Sequence, residues 1–207
     1  MFLMIEPLFD RYGARKYLDA TERAAFAQSA LMAGGLEASF CLTLAFTGAR
    51  ISEVLSLTSE QILVEEGAIV FETLKRRQRG IFRLVPVPNE LIALLVDTHN
   101  FDAADRPHSR LWTWGRTTAW KRVKAVMLDA KIEGRRATPR AARHAFGVGA
   151  IQSSVALGTV QKWMGHARIE TTAIYTNVMG KEERALAERT WLSLKSVLTK
   201  IGNRSLV

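Results

Sequence analysis

The residues of this chain that can do chemistry lie in four short stretches. In "TGARISEVLSL", Arg50 follows a helix-ending Gly-Ala, so its side chain projects from a rigid junction. Glu53, three residues on, shares its helical face and can hold the guanidinium, although an ordinary surface ion pair would read the same way. "ATPRAARHAFG" puts Pro139 in a first helical turn, with Arg140 and Arg143 at i and i+3 on one face. Two guanidiniums at a helix start, added to the free N–H groups and the dipole, make an anion site; a solvated basic face is the alternative. His144 lies ~100° around the helix from Arg143 and reads as a buried structural histidine. Lys75 closes an apolar strand and opens "KRRQRG", where Arg76, Arg77 and Arg79 crowd it. It is either one special lysine or part of an undifferentiated patch for a polyanion backbone. Last comes "WMGHARIETTAIYTNV", with His166 and, nine residues later, Tyr175.

These side chains need a frame, and the totals say what kind. At 207 residues with 48 % hydrophobic content, the chain has enough apolar material for a proper core without disulfide staples. Cys41, the single cysteine, sits inside the apolar run "FCLTLAF" and reads as a small core residue, which fits a reducing compartment. A net charge of +9 points to a polyanionic partner, with nucleic acid the commonest. The N-terminus lacks a signal-peptide layout because Glu6 and Pro7 interrupt it. The stretch from Leu31 to Ala49 contains Gly34, Gly35 and Glu37 and reads as a buried helix, not a membrane span. No His/Cys/carboxylate cluster has metal-ligand spacing, and no Gly-rich phosphate loop is present.

The elements follow from periodicity and punctuation. "DATERAAFAQSALMAG" predicts a first helix capped by Asp19 or Thr21 and closed by Gly34-Gly35. "LEASFCLTLAFTG" predicts a second, largely buried helix, and "ARISEVLSLT" a short third. "GAIVFETL" and "IFRLVPVP" are β-branched and aromatic; they predict a hairpin with a basic tip, preceded by a short strand at "QILV". Pro86 and Pro88 push the second hairpin strand to a sheet edge. "NELIALLVDTH" predicts a helix with an Asn cap. "TTAWKRVKAVMLDA" predicts another, with Trp120, Val123, Val126 and Met127 on one side and Lys121, Arg122 and Lys124 on the other. Three short helices over 138–178 have glycines at their joints, and an amphipathic helix closes the chain at about 180–201. The fold class is mainly α with a small antiparallel β-sheet (α+β). No internal repeat or Gly/Ser linker divides the chain, which reads as an extension at 1–16 and one domain over 17–207.

In that order, "TGARISEVLSL", a hairpin lysine, "ARHAFG" and "VQKWMGHARIETTAIYTNV" resemble the catalytic domain of the tyrosine recombinases, the phage integrase family. The resemblance covers roughly Tyr17 to Leu198. It implies the DNA breaking-rejoining fold, with Arg50 and Arg143 as phosphate-binding arginines, Lys75 as the hairpin lysine, His166 as the Gly-His histidine and Tyr175 as nucleophile. The activity implied is site-specific recombination or integration through a 3′-phosphotyrosyl intermediate, without metal or high-energy cofactor. Arginine suits it because a guanidinium stays protonated and presents a planar fork to phosphate oxygens. Tyrosine, with an ordinary pKa of ~10, needs a base or a positive field, and Lys75 would protonate the leaving 5′-oxygen.

Two departures qualify the expectation. The family's second box is usually His-x-x-Arg, but here it is Arg140-Ala-Ala-Arg143. Arginine does not exchange protons near neutral pH, so Arg140 is expected to act as a third electrostatic contact. The similar active site of the type IB topoisomerases carries a lysine there, so a cation is tolerated. The family's separate core-binding domain is also expected to be missing. Double-stranded DNA is the implied partner, with Arg76, Arg77, Arg79, Lys121, Arg122 and Lys124 along its backbone. Self-association through the last helix, an accessory DNA-binding protein, no membrane, and a cytoplasmic, nucleoid-associated protein of bacterial, phage or plasmid origin complete the expectation. Two other readings stand beside it: a DNA-binding regulator that keeps the fold without strand exchange, and topoisomerase IB-like relaxation.

Overall fold

The computed structural model describes residues 8–73, 80–101, 108–176, 184 and 187–189. Its centre is a helix that is apolar on nearly every side. Helix α1 (Ala20–Ala33) starts where Asp19 accepts from the Glu22 amide at 2.8 Å while Glu22 bonds back to the Asp19 amide at 3.0 Å. Gly34 ends it, and α2 (Gly35–Thr47) begins at the next residue. Phe40, Cys41 and Leu44 of α2 are fully buried, along with Ser39 and Thr43. Thr43 and Thr47 return their hydroxyls to the carbonyls four residues back, and Ser39 accepts from the Trp112 indole, so the polar groups within this helix are satisfied. Each large side chain buried here contributes roughly 1.5–3 kcal/mol.

Around α2 pack α1, α4 (Asn89–His99), α5 (Arg116–Asp129) and α6 (Pro139–Gln152). Asn89 is not the cap of α4; Pro88 takes that position and Asn89 is already helical. On α5 the buried face is Ala119, Val123, Val126 and Met127, whereas Trp120 points outward, 38 % exposed, beneath Lys124 at 5.1 Å. Trp120 therefore belongs to the basic face, because the indole covers the lysine stem and gains a cation–π contact there.

Following α3 (Ile51–Val54), three short antiparallel strands run in the order β1 (Ile62–Leu63), β2 (Ala68–Glu72), β3 (Phe82–Pro86). Among the described residues β3 is an edge, and Pro86 sits at its end opposite Ala68. The hairpin tip with Lys75, Arg76, Arg77 and Arg79 lies outside the described residues, as does most of the expected C-terminal helix. Arg189, which is described, bonds the Gln152 carbonyl and the Ser154 hydroxyl at the end of α6.

Helices α7 (Leu157–Met164) and α8 (Glu170–Ala173), with a tight turn over Ile174–Thr176, close a second, smaller apolar cluster. It comprises Leu8, Tyr17, Val148, Val160, Met164 and Tyr175. Leu8 and Phe9, from the segment expected to be an N-terminal extension, pack into this cluster beside the tyrosine. Among the described residues no helix is long and apolar enough to cross a membrane.

Candidate active site

Four junctions bring the charged residues to one place. Helix α2 ends at Gly48 in the left-handed region (φ 60°), where a Cβ would sit 2.5 Å from the Phe146 ring of α6. Only glycine lets the chain turn there under α6, and two residues later Arg50 emerges. Glu53 then accepts from Arg50 Nη1 at 2.7 Å and from the Arg50 amide at 2.8 Å. Its other partner is Arg83 of β3, whose Nη2 lies 2.7 Å away. Burial alone would raise the Glu53 pKa, but the two guanidiniums outweigh it and hold the carboxyl below the usual range.

Arg83 donates further to the Trp163 carbonyl at 2.8 Å and to the Thr73 hydroxyl at 3.2 Å. One buried arginine thus ties the hairpin to α3 and to the end of α7. No feature of the sequence singles it out.

Helix α6 is started by Thr138, which accepts from the Ala141 amide at 3.2 Å, with Pro139 at its first position. Arg143, one turn in, is buried and donates to the Gly48 carbonyl at 2.6 Å and the Met164 carbonyl at 2.7 Å. Burial, followed by the Arg50 charge, pulls its pKa down to about 9, which leaves it protonated at neutral pH. Its remaining N–H donors and those of Arg50 are what an anion would meet. Arg140 is exposed and donates from Nε to His144 Nε2 at 3.3 Å.

Tyr175 is fully buried against this group. Its ring lies on Gly147, where an added Cβ would fall 2.6 Å from the ring carbons. Its hydroxyl is 3.1 Å from His144 Nδ1. His166 stacks alongside, with ring centroids 6.1 Å apart and planes 15° from parallel, and its own Nδ1 is 2.9 Å from the Thr172 hydroxyl. Burial pushes the phenol up to about 12 against the pull of Arg143, Arg140 and Arg50. Burial and neighbouring cations push His144 down to about 4 and His166 down to about 3, so both rings are neutral at pH 7.

Arg50, Arg140, Arg143, His166 and Tyr175 are therefore gathered at one spot. Lys75, Arg76, Arg77 and Arg79 lie outside the described residues. On α5, Lys121 is exposed and Arg122 is held by Glu37 and the Trp114 ring, 4.5 Å away. His144 is buried as expected, but it also contacts the tyrosine hydroxyl, a role the sequence expectation missed. Its position four residues after Arg140 was the available signal.

This frame, a helical shell with a three-stranded sheet carrying arginines and a late tyrosine, is the catalytic-domain fold of the tyrosine recombinases. Its solved neighbours agree. The XerA recombinase superposes with a TM-score of 0.72 at 21 % identity, over 84 % of this chain and 64 % of that one. XerH recombinase bound to palindromic difH substrate, in a post-cleavage complex, superposes with a TM-score of 0.68 at 21 % identity, over 85 % and 52 %. The catalytic domain of bacteriophage HP1 integrase matches at 0.57 with 20 % identity, over 86 % and 96 %.

The chain belongs to the phage integrase family, whose model matches residues 18–182. It is 30 % identical over 147 residues to the tyrosine recombinase XerA of Pyrococcus furiosus, covering 69 % of this chain and 50 % of that protein. Against XerD of Haemophilus influenzae it is 29 % identical over 154 residues, with the same coverage. The chain spans about half the length of these curated relatives.

Proposed function

We propose that this chain cleaves and rejoins DNA strands at specific sites, with Tyr175 as the nucleophile that forms a 3′-phosphotyrosyl intermediate. The observation that carries it is the convergence of Arg143, Arg140 and Arg50 on the Tyr175 phenol, each favouring its ionisation against the burial that opposes it. Family membership and the DNA-bound complex of a structural neighbour support the substrate. Arg50 and Arg143 are the two residues fit to hold the non-bridging phosphate oxygens, since each keeps N–H donors beyond those its protein partners take. The attacked phosphorus becomes pentavalent and more negative, and guanidiniums fixed by Glu53, Gly48 and Met164 need not reorganise to meet that charge. Lys75 is assigned the proton for the leaving 5′-oxygen, and His166 a place beside the phosphate.

The fully buried phenol has to be uncovered before it can attack. Attack therefore requires the turn that carries it, Ile174–Thr176 after the four-residue α8, to shift. His166 is depressed first by burial and then by Arg143 and Arg50, and a phosphate arriving beside those two guanidiniums relieves the part their charge adds.

The same burial favours a second reading, a DNA-binding regulator that retains the fold without strand exchange. The two separate in one assay. A nicked suicide duplex, tiled across the DNA flanking the gene, is incubated with the protein and run under denaturing conditions. A covalent band that disappears in Tyr175→Phe supports cleavage; DNA retention with no such band in the wild type supports the regulator.

A further inference from the structure

We propose that Arg140 and His144 together replace the histidine missing from the second box, with His144 donating a hydrogen bond to the Tyr175 hydroxyl in a tautomer that Arg140 fixes. The inference rests on the reading of Tyr175 as nucleophile. Arg140 and His144 stand at i and i+4 on α6, stacked one turn apart. Arg140 Nε reaches His144 Nε2 at 3.3 Å, and His144 Nδ1 reaches the Tyr175 hydroxyl at 3.1 Å.

A guanidinium has donors only, so Nε2 must offer it a lone pair. A neutral imidazole with a bare Nε2 carries its proton on Nδ1, and that N–H points at the tyrosine oxygen. The ring stays neutral because burial, Arg140 and Arg143 of its own helix, and Lys16 of the N-terminal segment all oppose a second proton. The groups facing the phenol are His144, Arg140 and Arg143 of α6, Arg50 before α3, and the His166 ring after α7. Of the two histidines, His144 is the one hydrogen-bonded to the hydroxyl, while His166 stacks on the ring and pairs its Nδ1 with Thr172.

The arrangement fits both directions of a transesterification. In cleavage the Tyr175 oxygen forms a bond to phosphorus, the bond from phosphorus to the 5′-oxygen breaks, and the phenol proton passes to solvent water. Lys75 supplies the proton to the 5′-oxygen, while His144 keeps its own throughout. In rejoining, a 5′-hydroxyl attacks and returns its proton to Lys75, the bond from phosphorus to the tyrosine oxygen breaks, and the Nδ1–H bond stabilises the departing phenolate until it regains a proton from water. His144 touches a reacting atom; Arg140 is a positioning residue that works through it.

The test has two arms. In the free protein, nitrogen-15 spectra of the four histidines report each ring's tautomer. His144 is expected with its proton on Nδ1, and Arg140→Met should turn that into a mixture. A proton on Nε2 in the wild type, or no change in Arg140→Met, overturns the proposal. The second arm follows single-turnover covalent complex formation on the nicked duplex. His144→Asn, whose amide occupies the Nδ1 position, should stay within about 5-fold of wild type, while His144→Gln and His144→Phe fall by about 100-fold with DNA retention unchanged. Equal rates for the Asn and Gln variants contradict the proposed donor position. If the wild type itself forms no Tyr175-dependent complex, the nucleophile reading fails, and the tautomer arm still decides the hydrogen-bond arrangement.

Discussion

Glu53 collects two guanidiniums and a backbone N–H on one buried carboxylate. Removing it strands Arg83, which is only 5 % exposed, without its charged partner. Glu53→Ala should therefore cost about 3–5 kcal/mol in chemical denaturation, far above the about 1 kcal/mol of an exposed pair. The sequence already paired Arg50 with Glu53, because three residues on a helix determine that geometry. It did not contain Arg83 as a partner, since an interaction spanning 30 positions depends on how the sheet docks. Strand alternation in "FRLVP" would even suggest the reverse, with Phe82 and Leu84 inside. In the fold Arg83 and Val85 face inward, while Phe82 is 60 % and Leu84 39 % exposed. The ion pair of Arg83 with Glu53 and the burial of Val85 together fix which face of that edge strand turns inward.

At the scale of elements, α6 both carries Arg143 and forms the floor beneath the tyrosine. Gly147 is what lets the ring approach; Gly147→Ala would push a methyl into it. The expected result is a loss of about 1–3 kcal/mol in stability and a displaced Tyr175. A milder test of the same helix is Thr138→Ala, which removes its N-cap and should cost about 1 kcal/mol by thermal denaturation while leaving the fold intact. The existence and order of these helices were legible from periodicity and from Pro139 and the glycines. What could not be read was the side each residue faces where two elements compete for it. Trp120 keeps helical spacing with Val123 and Met127, yet it lies outward with Lys124, and His144 turns its buried edge to a residue 31 positions away.

For the whole molecule, buried neutral histidines predict how stability depends on pH. His144 and His166 are depressed to about 4 and about 3, and burial also lowers His99. Below pH ~6.5 the unfolded chain takes up protons that the folded one refuses, so stability is complete above that value and falls as pH drops. Urea denaturation at pH 7 and pH 5 should differ by about 1.4 kcal/mol per pH unit below that value for each of the two histidines, with the lower stability at pH 5. The net charge of +9 predicts DNA retention that weakens with salt. Replacing Arg76, Arg77 and Arg79 by Ala should reduce the slope of log affinity against log salt by about one for each phosphate no longer neutralised.

Tyr175 with Arg50, Arg140 and Arg143 is proposed to form a single reacting centre for a phosphodiester. The most direct test is to trap the protein on nicked duplexes from the DNA flanking its gene, digest the denaturant-resistant complex and locate the modified peptide by mass spectrometry. A nucleotide attached to Tyr175 is the predicted result, formed by the wild type and abolished in Tyr175→Phe and in Arg143→Ala. An adduct on any other residue, or none from protein that retains the same DNA, would contradict it.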